Sequence, residues 1–516
     1  MLCVLNPIFV KLLLFLIISI ERRSNPLWLP YFQLSVITGQ PQGIAPTFRL
    51  SNNMQKILPA EFLTALKTIF SKNEILTEPE ECWTYGYDNS RRHALPQVVV
   101  FATTHEQVLK TVQLCNEFEI KITARGRGTG TTGAIVPLHG GLVLSLERMK
   151  QVLDFSPDNR YIKVQTGITN QEIQDYVKSK GFFWPPDPTS AAFCSVGGNL
   201  AYNSAGPKAV KYGTPRENTL GLRVVTGAGE EMRVGVYTSK GVVGYDLTRL
   251  IIGSEGTLAI ITEATLKLTP LPEAKKTLRA IYKTVGDAAQ AVSAVMAQPV
   301  VPCALEFMDG NAINMIRHYT ETDLPENAGA MLMIEVDGQA EGLDYAAEKV
   351  MQAATNEGLL SMRLAKNTAE VKALWDTRKA LSPALRKVAP KKINEDVVVP
   401  VTEMPTLIAG LDALSKKYEL PIINFGHAGN GNIHVNLLLD PDDPIQSKKA
   451  HACLDEIFSL VLKLNGTLSG EHGVGLEKRD FVDRELDANS LNLMRAIKRQ
   501  FDPKGLLNPD KMLPLA

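Results

Sequence analysis

The sequence predicts an α+β protein of about three domains. Its 516 residues are 45% hydrophobic and 21% charged, which is a globular composition. Strand and helix patterns alternate from residue 97 to residue 268, where three glycine-rich stretches interrupt them. After residue 272 a second alternation follows with little glycine, and we therefore place a domain boundary there.

Charge and cysteine usage exclude several classes of protein. The 55 Lys and Arg residues balance 55 Asp and Glu residues, so the basic surface of a nucleic-acid-binding protein is missing. The six cysteines are scattered singly, without a CxxC pair. This spacing argues against a disulfide framework, a zinc ribbon or an iron–sulfur cluster held by this chain alone. It is typical of a reducing compartment, and we expect a cytoplasmic protein.

The N-terminal 53 residues do not fit the folded pattern. Residues 8–20 form an apolar run that contains Lys11 and is shorter than the roughly 20 residues that span a membrane. No small-x-small cleavage site follows directly, as a signal peptide would require. We interpret residues 1–53 as an extension and expect the functional chain to begin near Met54. A membrane anchor and a degenerate signal peptide are the alternatives.

The first glycine-rich stretch follows a β-α-β pattern. We predict a strand at Val98–Phe101, a helix at His105–Phe118 and a strand at Ile120–Thr123. The next residues, RGRGTGTTGA (Arg125–Ala134), contain the spacing G-x-G-x-x-G. In a dinucleotide-binding Rossmann fold a helix begins within this motif, whereas here Pro137 and a β-rich run follow. The loop is therefore predicted to bind an anion through backbone N–H groups without that fold.

Two further glycine-rich stretches have a similar composition. They span Pro185–Gly206 and Gly253–Leu268, and Ser, Thr and Asn are interleaved with the glycines. Each stretch alone is explained by turns. Together the three stretches predict a cradle for a long phosphate-containing cofactor.

The region after residue 272 is predicted to fold as a sheet covered by helices on one face. The strands are predicted at Leu278–Tyr282, Ala304–Met308, Ala330–Val336 and Val397–Pro400, and the helices at Ala288–Ala297, Tyr345–Thr355, Val371–Arg386 and Thr406–Lys417.

Two motifs near the C-terminus carry the candidate chemistry. GHAGNGNIHVN places His434 on a strand that follows a turn, with His427 across that turn. SGEHGVG offers Glu471 and His472. Two imidazoles and a carboxylate predict a divalent-metal site with open positions, which leaves His472 as a base. The alternative is that the histidines only satisfy loop carbonyls.

The ordered motifs identify a family resemblance. Between about residues 75 and 515 the chain contains, in this order, PQVVVFATTHEQV, ARGRGTGTTGA, PPDPTS, CSVGGNLAYNSAG, KYG, GSEGTLAIITE, GHAGNGNIH, SGEHGVG and FDPKGLLNPDKM. This series resembles the vanillyl-alcohol-oxidase type of FAD enzymes. Within that type it is most similar to the D-2-hydroxyacid dehydrogenases, which act on D-lactate, glycolate or D-2-hydroxyglutarate.

The resemblance implies a fold and a cofactor. A two-lobed PCMH-type FAD-binding domain would comprise residues 54–272, a ferredoxin-like α+β substrate domain residues 273–465, and residues 466–516 would return to the flavin. FAD would be non-covalent because the first glycine-rich loop lacks the His to which some relatives attach it. The implied FAD contacts are Arg125, Gly126, Arg127, Gly128, Thr129, Gly130, Thr131, Gly133, Pro186, Asp187, Ser190, Gly197, Gly198, Asn199, Asn203, Gly256, Ile261 and Asn508.

The resemblance also implies a reaction. His427, His434 and Glu471 would hold a divalent Zn, Mn, Fe or Co ion that chelates the carboxylate and 2-hydroxyl of the substrate. His472 would take the hydroxyl proton while the C2 hydride passes to flavin N5. Arg378 would bind the substrate carboxylate and act with His472 as a catalytic residue. The further implied substrate contacts are Ser382, Asn436 and Lys392. Lys392, with Lys391 as the alternative, would bind the second carboxylate of a diacid, although the spacing to the following strand departs from that of the hydroxyglutarate enzymes.

The expected activity is oxidation of a D-2-hydroxyacid, D-lactate or glycolate, to the 2-oxoacid. D-2-hydroxyglutarate as substrate and an O₂-reducing oxidase of the same family are the alternatives. Because the chain has no cluster cysteines, its electrons must leave to a quinone, a cytochrome, an electron-transfer flavoprotein or a separate iron–sulfur subunit. No nucleic-acid partner is expected, and contact with a membrane surface stays an open alternative.

Overall fold

The computed structural model describes residues 57–317 and 324–515, which belong to one compact unit, Gln55–Ala516. The predicted extension at residues 1–53 lies outside the described residues. Within the described ranges, no helix combines the length and the apolarity that crossing a membrane requires.

The first part of the fold is built around a four-stranded sheet. It contains helices α1 (Ala60–Ile69), α2 (Pro79–Cys82) and α3 (His105–Phe118) and strands β1 (Ile75–Leu76), β2 (Val98–Phe101), β3 (Ile122–Arg125) and β4 (Leu142–Ser145). The strand order is β1-β2-β4-β3, with β2, β4 and β3 parallel. The structure confirms the predicted bounds of β2 and α3, and α3 begins at a capping box on Thr104. Residues 126–141 join β3 to the parallel strand β4 without a helix, so the rejection of a Rossmann motif is confirmed.

The second part is built around a five-stranded antiparallel sheet. It contains strands β5 (Val152–Ser156), β6 (Tyr161–Gln165), β7 (Phe182–Phe183), β8 (Thr219–Thr226), β9 (Glu231–Gly235), β10 (Ala259–Lys267) and β11 (Thr269–Pro270), and helices α4 (Asn170–Lys178), α5 (Val196–Tyr202), α6 (Ala209–Tyr212) and α7 (Leu247–Ile251). The order is β5-β6-β10-β8-β9, while β7 pairs with β11. Val196 and Leu200 of α5 are buried in the core of this sheet, which fixes the second glycine-rich stretch against it.

The third part is built around a seven-stranded antiparallel sheet. It contains strands β12 (Ala274–Tyr282), β13 (Ala304–Asp309), β14 (Ala330–Gly338), β15 (Leu359–Leu364), β16 (Lys391–Val398), β17 (Ile422–His427) and β18 (Asn432–Leu439), and helices α8 (Val285–Ala297), α9 (Gly310–Ile316), α10 (Leu343–Ala354), α11 (Thr368–Val388), α12 (Met404–Tyr418) and α13 (Pro444–Lys463). The order is β15-β12-β14-β13-β17-β18-β16. Strand β16 begins at Lys391, earlier than the predicted strand Val397–Pro400.

Helices cover both faces of this sheet, so the expectation of helices on one face is wrong. On β14, Leu332 belongs to the core formed with α8, α10, α12 and α13. The neighbouring Met331 points to the opposite face, because successive strand residues alternate, and packs with Leu381 of α11. The second face matters for function because α11 also carries Arg378.

The chain ends against the first sheet. Helices α14 (Val482–Glu485) and α15 (Ala488–Phe501) follow a loop at residues 466–481. The tail then lies beside the edge strand β3, where the N–H of Asn508 donates to the carbonyl of Ile122 at 2.7 Å.

Candidate active site

A cavity of about 940 Å³ brings together the stretches that the sequence singled out. Its lining includes residues of all three glycine-rich stretches. It also includes Arg378 and Ser382 of α11, the first half of β16, and His434, Glu471 and His472. One continuous space is therefore shared by the predicted cofactor loops and the predicted reaction site.

The first glycine-rich loop presents bare backbone donors to this cavity. Residues 125–132 line it, and none of the backbone N–H groups of residues 126–132 donates to an acceptor within the described part of the chain. A side chain at Gly126 would displace the Ser195 hydroxyl, because its Cβ would lie 2.3 Å from that oxygen, which accepts the N–H of Gly198. Consecutive N–H groups without an acceptor among the described residues, in a loop with glycine at positions 126, 128 and 130, fit the diphosphate of a large cofactor. The side chain of Arg125 donates instead to the carbonyl of Tyr87 at 2.8 Å.

The remaining predicted cofactor contacts divide into two sets. Those that line the cavity are Ser190, Gly197, Gly198, Asn199, Gly256 and Ile261. Those that do not line it are Gly133, Pro186, Asp187, Asn203 and Asn508. Asp187 forms an ion pair with Lys208 at 2.9 Å, and the Asn508 side chain donates to the carbonyl of Glu255 at 2.8 Å. These two side chains hold loops together around the cavity.

The two histidines and the glutamate predicted as metal ligands converge. His427 ends β17 and His434 lies on β18, where it pairs with Phe425 across the hairpin. Glu471 Oε1 is 3.4 Å from His427 Nε2 and 3.8 Å from His434 Nε2. One ligand atom from each residue lies within 4.8 Å of the other two. Two imidazole nitrogens and a carboxylate oxygen at this spacing fit a single divalent ion with open coordination positions.

Burial and charged neighbours shift the pKa of all three ligands. Burial by itself lowers the pKa of His427, but the carboxylates of Glu306 and Glu471 raise it to about 10. Burial opposes ionisation of Glu471, yet His427 and His434 hold the pKa of that carboxyl well below its ordinary value. The pKa of His434 lies well below its ordinary value because of burial and the neighbouring charges of His472 and His427. A divalent ion that takes the place of the His427 Nε2 proton would therefore meet the carboxylates of Glu306 and Glu471, while the low pKa of His434 favours the neutral imidazole that ligates a metal.

His472 lies beside this site and is anchored by a carboxylate that sequence reasoning missed. Its ring stacks on the ring of His434, with centroids 5.1 Å apart and planes 13° apart. Its Nδ1 is 3.6 Å from Asp396 Oδ1. Asp396 Oδ2 also accepts the backbone N–H groups of Gly470 at 2.9 Å, Glu471 at 2.5 Å and His472 at 2.9 Å. One buried carboxylate thus fixes the loop that carries both Glu471 and His472.

The predicted substrate residues are only partly in place around the cavity. Arg378, Ser382 and Lys392 line it, and Lys392 Nζ donates to the Ser382 hydroxyl at 2.8 Å. Asn436 does not line it, because its amide oxygen accepts from Asn394 at 2.6 Å and its amide nitrogen donates to two backbone carbonyls. Asn394 lines the cavity and is another residue that the sequence did not indicate.

Glu306 is the second carboxylate that was missed. Its Oε2 accepts from Arg378 Nε at 2.7 Å, and its Oε1 lies 2.5 Å from His427 Nδ1. A signal existed for both carboxylates: Glu306 interrupts the apolar run ALEFM, and Asp396 directly precedes VVVP. A charge within an apolar strand pattern needs a buried partner, which is typical of a functional site.

Two family models match this chain. The model "FAD linked oxidases, C-terminal domain" matches residues 271–512, and the model "FAD binding domain" matches residues 96–235. Glycolate oxidase subunit GlcD of Bacillus subtilis is 37% identical over 429 residues, which cover 83% of this chain and 91% of that protein.

Other relatives are similar over most of their length. D-lactate dehydrogenase of Anaerostipes hadrus is 32% identical, covering 89% of this chain and 98% of the relative. D-2-hydroxyglutarate dehydrogenase of Xanthomonas citri pv. viticola is 33% identical, covering 84% and 93%. The structure of p-cresol methylhydroxylase matches with a TM-score of 0.72 at 19% identity, covering 88% of this chain and 96% of that chain. The likeness to this structure confirms the predicted fold class.

Proposed function

Because this chain belongs to the FAD-linked oxidase family and is an FAD-dependent oxidoreductase, we propose that it oxidises a D-2-hydroxyacid to the corresponding 2-oxoacid. The observation that carries the proposal is the shared cavity. The N–H groups of residues 126–132, which have no acceptor within the described ranges, lie in the same space as Arg378, His434, Glu471 and His472. A cofactor loop, an anion-binding group, a cation site and a base are the parts that this reaction needs.

FAD bound in this cavity supplies the hydride acceptor. The N–H groups of residues 126–132 would hold its diphosphate, and each charge-assisted hydrogen bond would contribute about 1.5–3 kcal/mol. We expect the attachment to be non-covalent, since the first glycine-rich loop contains no His, Cys or Tyr.

His427, His434 and Glu471 would hold a divalent ion, which would supply Lewis acidity for ionisation of the substrate hydroxyl. Two nitrogen donors and one oxygen donor suit Zn, Mn, Fe or Co. All three side chains are at most 13% exposed, so the protein keeps bulk water away from the site.

Arg378 and His472 are the proposed catalytic residues. Arg378 uses Nε for Glu306, which leaves its two terminal nitrogens to bind the substrate carboxylate. His472 faces Asp396 with Nδ1, so Nε2 is the ring nitrogen that remains to accept the proton of the substrate hydroxyl. The stacked ring of His434 holds the plane of this imidazole.

The first candidate substrates are D-lactate and glycolate, which need one carboxylate-binding group. A second candidate, D-2-hydroxyglutarate, is favoured by the lysines at positions 379, 391 and 392, which also line the cavity. Relatives named for all three activities have similar identity to this chain, so identity does not decide among them. The electrons would leave to an external acceptor, as the chain has no cluster cysteines.

Anaerobic stopped-flow mixing of the FAD-loaded protein with each of the three acids tests the proposal. The substrate should bleach the flavin absorbance, and prior removal of divalent metal by a chelator should abolish bleaching while FAD stays bound. The variant Lys392→Met should slow bleaching by D-2-hydroxyglutarate but not by D-lactate, with the surface variant Lys417→Met as control. Absence of bleaching by all three acids would reject the proposal, and rapid O₂ consumption during turnover would favour an oxidase.

A further inference from the structure

Glu306 lies between the candidate metal site and the candidate substrate arginine. It is 1% exposed and sits on β13 directly opposite His427 of β17 in the strand register. Met308, two residues further along the same strand face, belongs to the same buried cluster as Leu381 of α11. The face of Glu306 is therefore covered by the helix that carries Arg378.

We propose that Glu306 is a positioning residue that fixes His427 and Arg378 through one carboxylate, so that metal affinity and substrate affinity both depend on it. The proposal rests on the proposed function, because it assigns His427 to the metal and Arg378 to the substrate. It extends that function to a residue that lines no part of the cavity.

On the metal side, Glu306 determines which nitrogen of His427 is available. Its Oε1 lies 2.5 Å from Nδ1, so a proton is held at Nδ1, and Nε2 is the nitrogen that would bind the metal in place of its own proton. Nε2 is the nitrogen that faces Glu471. Carboxylates that hold the second nitrogen of a ligating histidine in this way typically support metal affinity by 10- to 100-fold.

On the substrate side, Glu306 determines the direction of the guanidinium. Arg378 is 9% exposed, and Glu306 is the only hydrogen-bond acceptor that its side chain has among the described residues. The guanidinium lies over the ring of Phe425, with its central carbon 4.7 Å from the ring centroid. With Nε held from one side and the ring beneath, the terminal nitrogens keep a fixed orientation toward the cavity that Arg378 lines.

The variant Glu306→Gln tests this assignment, with Glu335→Gln as a matched control. Glu335 lies in the adjacent strand β14, is 4% exposed and bonds Lys275, Thr277 and Trp375. Because Trp375 lies on α11, this control also detects any effect that acts only through that helix. Zn²⁺ and Mn²⁺ affinities are measured by chelator competition on the FAD-loaded protein without substrate. Glu306→Gln should weaken metal binding about 10- to 100-fold and raise KM about tenfold or more at saturating metal. Glu335→Gln should change neither quantity.

The outcomes separate this proposal from the function on which it rests. If the native protein binds metal and reduces its flavin but Glu306→Gln binds metal as tightly as native, the positioning role is refuted. An equal loss of affinity in Glu335→Gln would also refute it, because the effect would then be general destabilisation. If Glu306→Gln does not fold with FAD, the variant Glu306→Asp provides the test. Its side chain keeps the charge but is too short to reach both His427 and Arg378. Native metal affinity together with native KM in this variant would overturn the proposal.

Discussion

Replacing Asp396 with Asn removes one negative charge from a buried site while nearly preserving the shape of the side chain. Asp396 is 0% exposed and accepts three consecutive backbone N–H groups of the loop that carries His472. Its other oxygen pairs with Lys478 Nζ at 2.5 Å. The substitution therefore weakens the anchor of the loop and removes the main counter-charge of a buried lysine.

The magnitude follows from the burial of the pair. Lys478 is 1% exposed, and removing one partner of a buried ion pair costs about 3–5 kcal/mol because the remaining charge is uncompensated. Glu395 moderates this cost, since its carboxylate lies 3.3 Å from Lys478 Nζ. Burial and the nearby charge of Asp396 raise the pKa of Glu395 to about 7. Without Asp396 this carboxyl ionises more readily, and we expect a loss of about 3 kcal/mol in the free energy of unfolding.

The pH dependence of the loss gives a second check. Burial raises the pKa of Asp396, but Lys478 and His472 more than offset this and lower it. The contribution of the Asp396 carboxylate to the free energy of unfolding is therefore present above the unfolded pKa of about 3.9. It disappears only as the pH falls through the lower pKa of the folded state. Among Asp396, Lys478 and Glu395, only Glu395 has a pKa between 6 and 8. Because this pKa is raised, the native protein loses the contribution of Glu395 as the pH rises, and the variant loses less. The difference should be larger at pH 6 than at pH 8.

Urea unfolding of the FAD-loaded protein, followed by tryptophan fluorescence and circular dichroism, measures the loss if the two transitions coincide. The control is Glu456→Gln, whose partner Lys417 is 57% exposed, and it should cost at most about 1 kcal/mol. A double variant with Lys478→Met should be less destabilised than the sum of the two single variants. A loss no larger than that of the control, or strict additivity, would refute the anchoring role.

Three further predictions concern the site itself. His472→Gln should keep FAD and metal but slow flavin reduction about 10²- to 10⁴-fold in stopped-flow experiments, and a native rate would remove it as the base. Arg378→Lys should raise KM about tenfold or more, because one ammonium group cannot both replace Nε at Glu306 and bind a carboxylate bidentately; an unchanged KM would contradict this. Gly126→Ala should lower the ratio of flavin to protein absorbance, because the added methyl would lie 2.3 Å from the Ser195 hydroxyl oxygen, whereas Gly338→Ala, with open space around it, should not.

Regular elements were predictable where local chemistry decides them. The helix at His105–Phe118 has an apolar stripe and a capping box, and the structure reproduces both ends. The hairpin of β17 and β18 was predictable because a glycine marks the turn and the residues beyond it alternate. In the structure this glycine, Gly431, adopts a φ of +70°. That turn places His427 and His434 together, which is why two of the three candidate metal ligands could be paired from sequence alone.

The missed features depend on contacts between distant segments. The residues KKINED at the start of β16 do not alternate as a half-buried strand does, because several of them face a polar cavity. Glu306 has no local motif, and its partners lie 72 and 121 residues away in the chain. The helices on the second face of the sheet could not be assigned either, since periodicity shows that a helix has an apolar side but not which surface it covers.

The site is built from the cofactor-binding part and the substrate-binding part of the chain. Two glutamates hydrogen-bond these parts to each other. Glu471 points Oε1 at the histidines, while its Oε2 accepts the N–H of Gly206 from the second glycine-rich stretch at 2.8 Å. Glu255, from the third stretch, accepts the N–H groups of Val474 at 2.6 Å and Gly475 at 2.8 Å. Each contact joins a cofactor loop to the segment that carries the proposed metal ligand and base. When the cofactor loops move away from this segment, the buried carboxylates of Glu471 and Glu255 lose these hydrogen bonds. We therefore expect displacement of the cofactor loops to displace the metal ligand Glu471 as well.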